Sequence, residues 1–558
     1  FSLIGNNTGT GLTEAPVGSP DANGNLIGGG TSGVINPLLG PVANNGGPTQ
    51  THGLLPGSPA INAGNNTLLP ADVNDLDGDG DTTEAIPFDQ RGAGFPRVAD
   101  GTVDMGAVET STPFDTPSLL VTTAADTFDS TDGVTSLREA IFFASNGLAT
   151  GNTITFASGA GDAFENGGVI RLTQGSQLAL DGDVPTDGST AGGTRIITCD
   201  VGNNDTKVGS SMITNAITNA NTSDNVRVLS ITGGTVNLND LTITGGFTTS
   251  DGGGILVGSG ATLNLSDSTV TGNATGGNGD GGGIANYGTT NIADSTISAN
   301  KGRYGGGVIN STADIMTITG STIANNVATN DGGGVSNFGD TTLTNVTISG
   351  NSSDKDGGGV YNGAGDTITI NNTTVFENHA DADGNSTGTG GGVFNEPSGT
   401  ATLNHTIVAG STSGGDLSGP FAGSFNLVQD DQNTGGLTDT VIGDPMLGDL
   451  ADNGGPTMTH ALLAGSPAYE AGDPAAVAGQ NGVPQFDQRG TGFDRVRGRL
   501  DIGAFESQTE IGSFVVSTNL DVVDGNDLVT SLREAIAFAN LQTGADTITF
   551  DASVFDGG

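Results

Sequence analysis

The sequence predicts an all-β protein: parallel β-helix solenoid domains in tandem, with short capping helices. Three observations carry this. Triple glycines begin at Gly252, Gly281, Gly305, Gly332, Gly357 and Gly390, each followed by Ile or Val. Apolar beads at Ile243, Val270, Ile297, Ile323, Ile348 and Val375 recur every 25 to 27 residues. Between them run alternating stretches such as Thr342-Leu-Thr-Asn-Val-Thr-Ile-Ser, the period-2 pattern of a half-buried strand. A period near 25 with two or three short strands and glycine corners describes one coil of a β-helix, whereas propeller blades run to about 40 residues or more.

The coil logic accounts for the composition. No coil buries its apolar face alone, but stacked coils build a continuous column. Glycine supplies tight corners and positive φ, which explains 97 glycines in 558 residues. Asn286, Asn310, Asn337, Asn362 and Asn395 each lie two residues beyond a triplet's Ile or Val and are placed to stack as an amide ladder.

A longer repeat encloses the short one. NNGGPTQTHGLLPGSPAINAG (44–64) returns as DNGGPTMTHALLAGSPAYEAG (452–472), FDQRGAGFPRV (88–98) as FDQRGTGFDRV (486–496), and TSLREAIFFASN (135–146) as TSLREAIAFAN (530–540). Each is displaced by about 400 residues, so the unit is one large domain. The expected organisation is the end of one unit at 1–112, a complete unit at 113–510 and the start of another at 511–558. In the complete unit a capping helix is expected at about 136–146, glycine-rich coils at about 228–420 and a closing cap at about 425–506. Ser136 with Glu139, and Ser531 with Glu534, form capping boxes. Leu137, Ile141 and Ala144 share a helix face suited to cover the first coil. The connectors Thr110–Ser118 and Ser507–Ser513 are too short to leave neighbouring domains free.

Charge and composition exclude several classes. Fifteen Lys and Arg face 61 Asp and Glu, a net charge of −46; such a chain has no basic patch for nucleic acid or anionic lipid. One cysteine, Cys199, rules out an intramolecular disulfide framework and is expected in the core. No apolar run reaches the roughly 18 residues of a membrane span.

The sharpest local motif is Asp75-Leu-Asp77-Gly-Asp79-Gly-Asp81-Thr-Thr-Glu84. Alternating carboxylates and glycines wrap a hard cation, as in the opening half of an EF-hand loop, against the plainer reading of a solvated acidic loop. The twelfth position is Ile86, so Glu84 would substitute early for the usual glutamate. The second copy carries Ala475-Ala-Val-Ala-Gly-Gln there, so structural Ca²⁺ is not required by every repeat. A second candidate metal set is Asp126, Asp129 and Asp132 with its repeat Asp521, Asp524 and Asp527; turn and helix-start chemistry is the alternative. His52, His460, Asp89, Arg91 and Glu109 lie in a turn-dense cap and read as structural.

β-Helices also carry polysaccharide lyases and hydrolases. Between Val228 and Gly419 the cations are Lys301, Lys355 and Arg303, there is no Trp, and the tyrosines look isolated. No catalytic residue is assigned.

The TSLREAI segments resemble the N-terminal CSLREA motif of bacterial secreted proteins, with Thr for Cys. The NNGGPTxTHxLLxGSP and FDQRGxGFxR segments resemble the choice-of-anchor region that ends such proteins. The resemblance implies a right-handed parallel β-helix and a large bacterial surface protein. The expected role is therefore structural: an extracellular or cell-surface fibre of tandem domains, adhesive, stiffened by calcium, with neighbouring copies and surface glycans as partners. A polysaccharide-binding adhesin or a lyase or hydrolase is the alternative.

Overall fold

The computed structural model describes the chain except for residues 111–113, 130, 152, 166–167, 190–194, 200–225, 386, 431–435, 481, 509–512, 522–528, 541–546 and 556–558. It divides into two compact units, Phe1–Gln174 and a second comprising Gly175–Ser189 and Thr194–Gly558. This differs from the repeat boundaries: the end of one repeat and the start of the next fall within the first unit.

The second unit contains the column. Successive coils contribute one strand to each of three parallel ladders. The first face runs through Ile255–Val257, Ile284–Asn286, Val308–Asn310, Val335–Asn337, Val360–Asn362 and Val393–Asn395. The second includes Thr262–Ser266, Thr289–Ala293, Ile315–Thr319, Asp340–Thr344 and Thr367–Asn371. The third holds the predicted beads in unbroken register, Ile243 to Val270 to Ile297 to Ile323 to Ile348 to Val375, all fully buried. Two-residue strands from Phe247–Thr248 to Ser352–Ser353 add a fourth, shorter ladder. The chain is an all-β parallel β-helix.

The ladders extend beyond the predicted coils at both ends, from Leu178–Asp181 on the first face to Val441–Ile442 on the third. These outer coils lack the glycine triplet, which is why their sequence does not announce them.

Two chemistries fix the corners. The first glycine of each triplet has positive φ, and a Cβ on the second would meet backbone of the next coil, as at Gly333, 2.3 Å from the Gly358 oxygen. The predicted amide ladder forms: Asn286 donates to Asn310 at 2.7 Å, Asn310 to Asn337 at 3.1 Å, and Asn337 to Asn362 and Asn362 to Asn395 at 2.7 Å. A second buried ladder runs through Asn273, Asn300, Asn326, Asn351 and Asn378, with side-chain bonds of 2.9–3.0 Å.

The closing cap docks along the third face. Gln488 bonds Thr322 and Thr347, Met458 O accepts from Thr322, the Ala504 N–H donates to Thr374, and Leu462, Ala468 and Ile502 cluster with Ile407 and Leu427. The Thr and Ser on this face read as solvent-facing in sequence, yet their hydroxyls satisfy the cap's polar groups.

In the first unit, helix Leu137–Ser145 carries the predicted capping box, as does Leu532–Ala539 in the second. Leu137 and Ile141 are buried, but so are Arg138 and Glu139. Arg138 pairs with Asp126 at 2.7 Å, and Glu139 accepts N–H bonds from Ser136 and Asp129 at 2.7 and 2.6 Å. Phe142 packs with Phe128, Leu55 and Leu38, so the helix shares a core with the end segment of the preceding repeat.

Candidate functional site

The acidic loop of the first unit is closed at its base by an antiparallel bridge between Ala71 and Ala85, with the Asp72 N–H donating to Glu84 O at 2.7 Å and the Ile86 N–H to Pro70 O at 3.0 Å. Gly78 and Gly80 take positive φ, as does Asp75, curling the backbone so that carboxylates converge. Two groups of three carboxylates share Asp77, namely Asp75, Asp77, Asp79 and Asp72, Asp77, Glu84; within each, the ligand atoms lie within 4.8 Å of one another. Burial and the charges of Asp79, Asp77, Asp81 and Asp72 push Glu84 above the usual carboxylate range.

Of the predicted set, Asp75, Asp77, Asp79 and Glu84 gather here. Asp81 does not join either group. Its Oδ1 accepts from the Thr83 hydroxyl at 2.7 Å and the Thr83 N–H at 2.8 Å, which hold its carboxyl below the usual range. Asp72 was not foreseen, because it lies three residues before the motif and joins only through the Ala71–Ala85 bridge.

Asp126, Asp129 and Asp132 are not brought together as a ligand group among the described residues. Asp126 makes a two-point ion pair with Arg138 and accepts the Gln174 N–H at 3.0 Å. Asp129 accepts from the Thr131 N–H and hydroxyl, and Asp132 from the Val134 N–H. Asp521 repeats the Asp126 arrangement with Arg533 at 2.8 Å, exposed here; Asp524 and Asp527 lie outside the described residues. The two turn-and-cap readings therefore account for the side chains that are described.

The cap charges form one hydrogen-bonded net, built twice. Arg91 grips Asp89 and donates to Glu109 O, while the Glu109 N–H returns to Asp89 at 2.8 Å. Arg489, Asp487 and Glu506 repeat it, again with the return bond at 2.8 Å. Gly47 and Gly455 have positive φ, and a Cβ there would lie about 2.5 Å from the backbone of Arg91 or Arg489, which explains the repeated NGGP. His460 is buried between Ser349 Oγ at 2.9 Å and Gly448 O at 2.7 Å, and burial pushes its pKa down. His52 bonds Gly40 O at 2.7 Å but is exposed. Cys199 is buried.

The tyrosines are not all isolated. Tyr304, Phe338, Tyr361 and Phe394 form a row along the first face with centroids 5.4–5.6 Å apart. Tyr361 and Phe394 are parallel to within 3°, so their facing ring surfaces are turned to each other. The carboxylates beside the row serve neighbouring coils: Asp331 accepts the Asp356 N–H, Asp356 the Thr389 N–H, and Asp251 the Tyr287 hydroxyl. A hollow of about 450 Å³ near Gly410 holds Asp416 and Asp430, but Asp416 accepts backbone N–H bonds on both oxygens.

No protein-family model matches the chain, and no curated protein matches it. A solved structure is similar. The crystal structure of pectate lyase Pel9A aligns at 12% identity over 69% of this chain and 96% of that chain, with a TM-score of 0.34. Among the described residues no helix is long and apolar enough to cross a membrane.

Proposed function

We propose that the chain is a structural component of an extracellular or cell-surface fibre, in which β-helical repeats follow one another through stiff junctions. The observation that carries this reading is the shared core of the first unit. Phe128, on the connector side of the capping helix, packs edge-to-face on Phe142 at 5.3 Å and against Leu55 of the preceding repeat's end segment. A Cβ on Gly40 would lie 2.6 Å from the Phe128 ring, and the Asn44 N–H donates to Gln174 at 3.3 Å. Such a junction resists the bending that a flexible linker would permit. The net charge of −46 favours solubility of so repetitive an object and suits calcium-containing surroundings.

The role is mechanical or adhesive and non-catalytic. In its support, the cap carboxylates and arginines are engaged in nets that hold turns together, and the rings of the aromatic row pack on one another, Tyr361 stacked on Phe394. Electron microscopy of purified native material tests the reading: fibres with an axial period of one repeat of about 400 residues are expected. Compact separate particles would overturn it, and glycan-binding and cleavage assays would then address the polysaccharide readings.

A further inference from the structure

We propose that residues 72–84 bind one calcium ion, with Asp72, Asp75, Asp77, Asp79 and Glu84 as ligands and Asp77 common to both carboxylate groups. The inference is independent of whether the repeats form fibres. The cluster of carboxylates is the first observation, and the second is Asp72. That residue is 1% exposed, its Oδ2 accepts the Leu76 N–H at 2.7 Å, and its Oδ1 has no hydrogen-bond partner. Its carboxylate is directed into the group it forms with Asp77 and Glu84. Glu84 Oε1 is likewise buried without a partner. A buried carboxylate oxygen that accepts nothing is costly, and the stretch 72–84 has no Lys, Arg or His to satisfy it. A cation among these oxygens satisfies both atoms at once and removes the repulsion between the carboxylates.

The donor set selects the ion. Calcium takes six to eight oxygens in flexible geometry, and five carboxylates, some two-point, supply them from a glycine-rich loop. Magnesium demands a smaller, near-octahedral shell and keeps its waters, which fits such a crowd of carboxylates poorly.

The second repeat is an internal control. There the chain from Gly472 to Phe486 is ten residues shorter than from Gly64 to Phe88, and retains one acidic residue, Asp473. Asp473 accepts the Ala475 N–H at 2.8 Å, and the Gly479 N–H closes on Val483 O at 2.9 Å. Among its described residues that turn is held by backbone and Asx hydrogen bonds, so calcium is an addition to one cap and not a property of the repeat.

Hydrogen exchange of the full chain, read by mass spectrometry in calcium chloride, magnesium chloride or chelator, tests this. Calcium is expected to slow exchange across 72–86 by about tenfold or more, with a smaller effect of magnesium and no change at 473–485. Asp72→Asn can still accept the Leu76 N–H, so the loop is retained; it and Asp77→Asn should abolish the protection, whereas Asp81→Asn should keep it within about twofold. Unchanged exchange at 72–86 in millimolar calcium would overturn the proposal. So would equal protection of both segments, which would indicate charge screening, or full protection in Asp72→Asn.

Discussion

Replacing Asn326 by Ala probes what holds the coils in register. Asn326 is fully buried in the second ladder. Its Oδ1 accepts from the Asn300 N–H and Asn300 Nδ2, each at 3.0 Å, and its Nδ2 donates to Ile297 O and Asn351 Oδ1, each at 2.9 Å. Alanine removes all four. The Asn300 amide side chain keeps Val270 O, and Asn351 Oδ1 keeps the backbone N–H of residue 326, but the Asn300 N–H, fully buried, loses its acceptor. One stranded donor costs about 1–3 kcal/mol, and the lost bonds and contacts raise the total to about 3–5 kcal/mol. Asn291, exposed on the second face and donating to Asn264 at 2.8 Å, provides the comparison; its alanine variant should stay within about 0.5 kcal/mol of wild type. Urea unfolding followed by circular dichroism reads both as a shift of midpoint at constant slope. If Asn326→Ala lost less than about 1 kcal/mol, or no more than Asn291→Ala, the ladder would not be a stabilising element.

Gly333→Ala should cost about 3 kcal/mol in the same assay, because the new methyl meets backbone of the next coil; Gly365→Ala, with φ of +89° and open space around it, should cost about 1–2 kcal/mol of backbone strain. Phe128→Ala empties the junction core and should destabilise the first unit by about 3–5 kcal/mol, read as earlier proteolysis around residues 114–150 than in the remaining coils. Burial lifts Glu139 from 4.5 to about 7, so the folded state favours its protonated form. Its contribution is complete below about pH 4.5 and is lost as pH rises through about 7, a change on the order of 3 kcal/mol. Melting curves of the first unit's cap region should therefore weaken from pH 5 to 8 in wild type, and Glu139→Gln should flatten that slope; parallel slopes would place the effect elsewhere.

The column was legible because its signals recur at coil spacing: the beads, the triplets and the first amide ladder all reappear at their predicted positions. The second ladder carried an equally regular signal, an Asn three residues after each bead from Val270 to Val375. It was overlooked because no glycine triplet marks it. The docking of the cap along the third face was not legible, since Thr322, Thr347 and Thr374 look like any outward residues of a strand until Gln488 and the Ala504 N–H arrive. At the junction, acidic spacing suggests a metal, and a second regularity went unused: an aspartate twelve residues before the arginine of each SLRE pairs with it, Asp126 with Arg138 and Asp521 with Arg533. Asp72 escaped because a loop motif counts forward from its first aspartate, while burial here is set by the bridge behind it.

Stiff joining of the repeats is tested most directly by the contour of multi-repeat chains. Proteins containing one, two, three and four consecutive repeats, imaged by electron microscopy, should show end-to-end distances that rise linearly with repeat number. Growth as roughly the square root of that number, the behaviour of columns on flexible linkers, would contradict it.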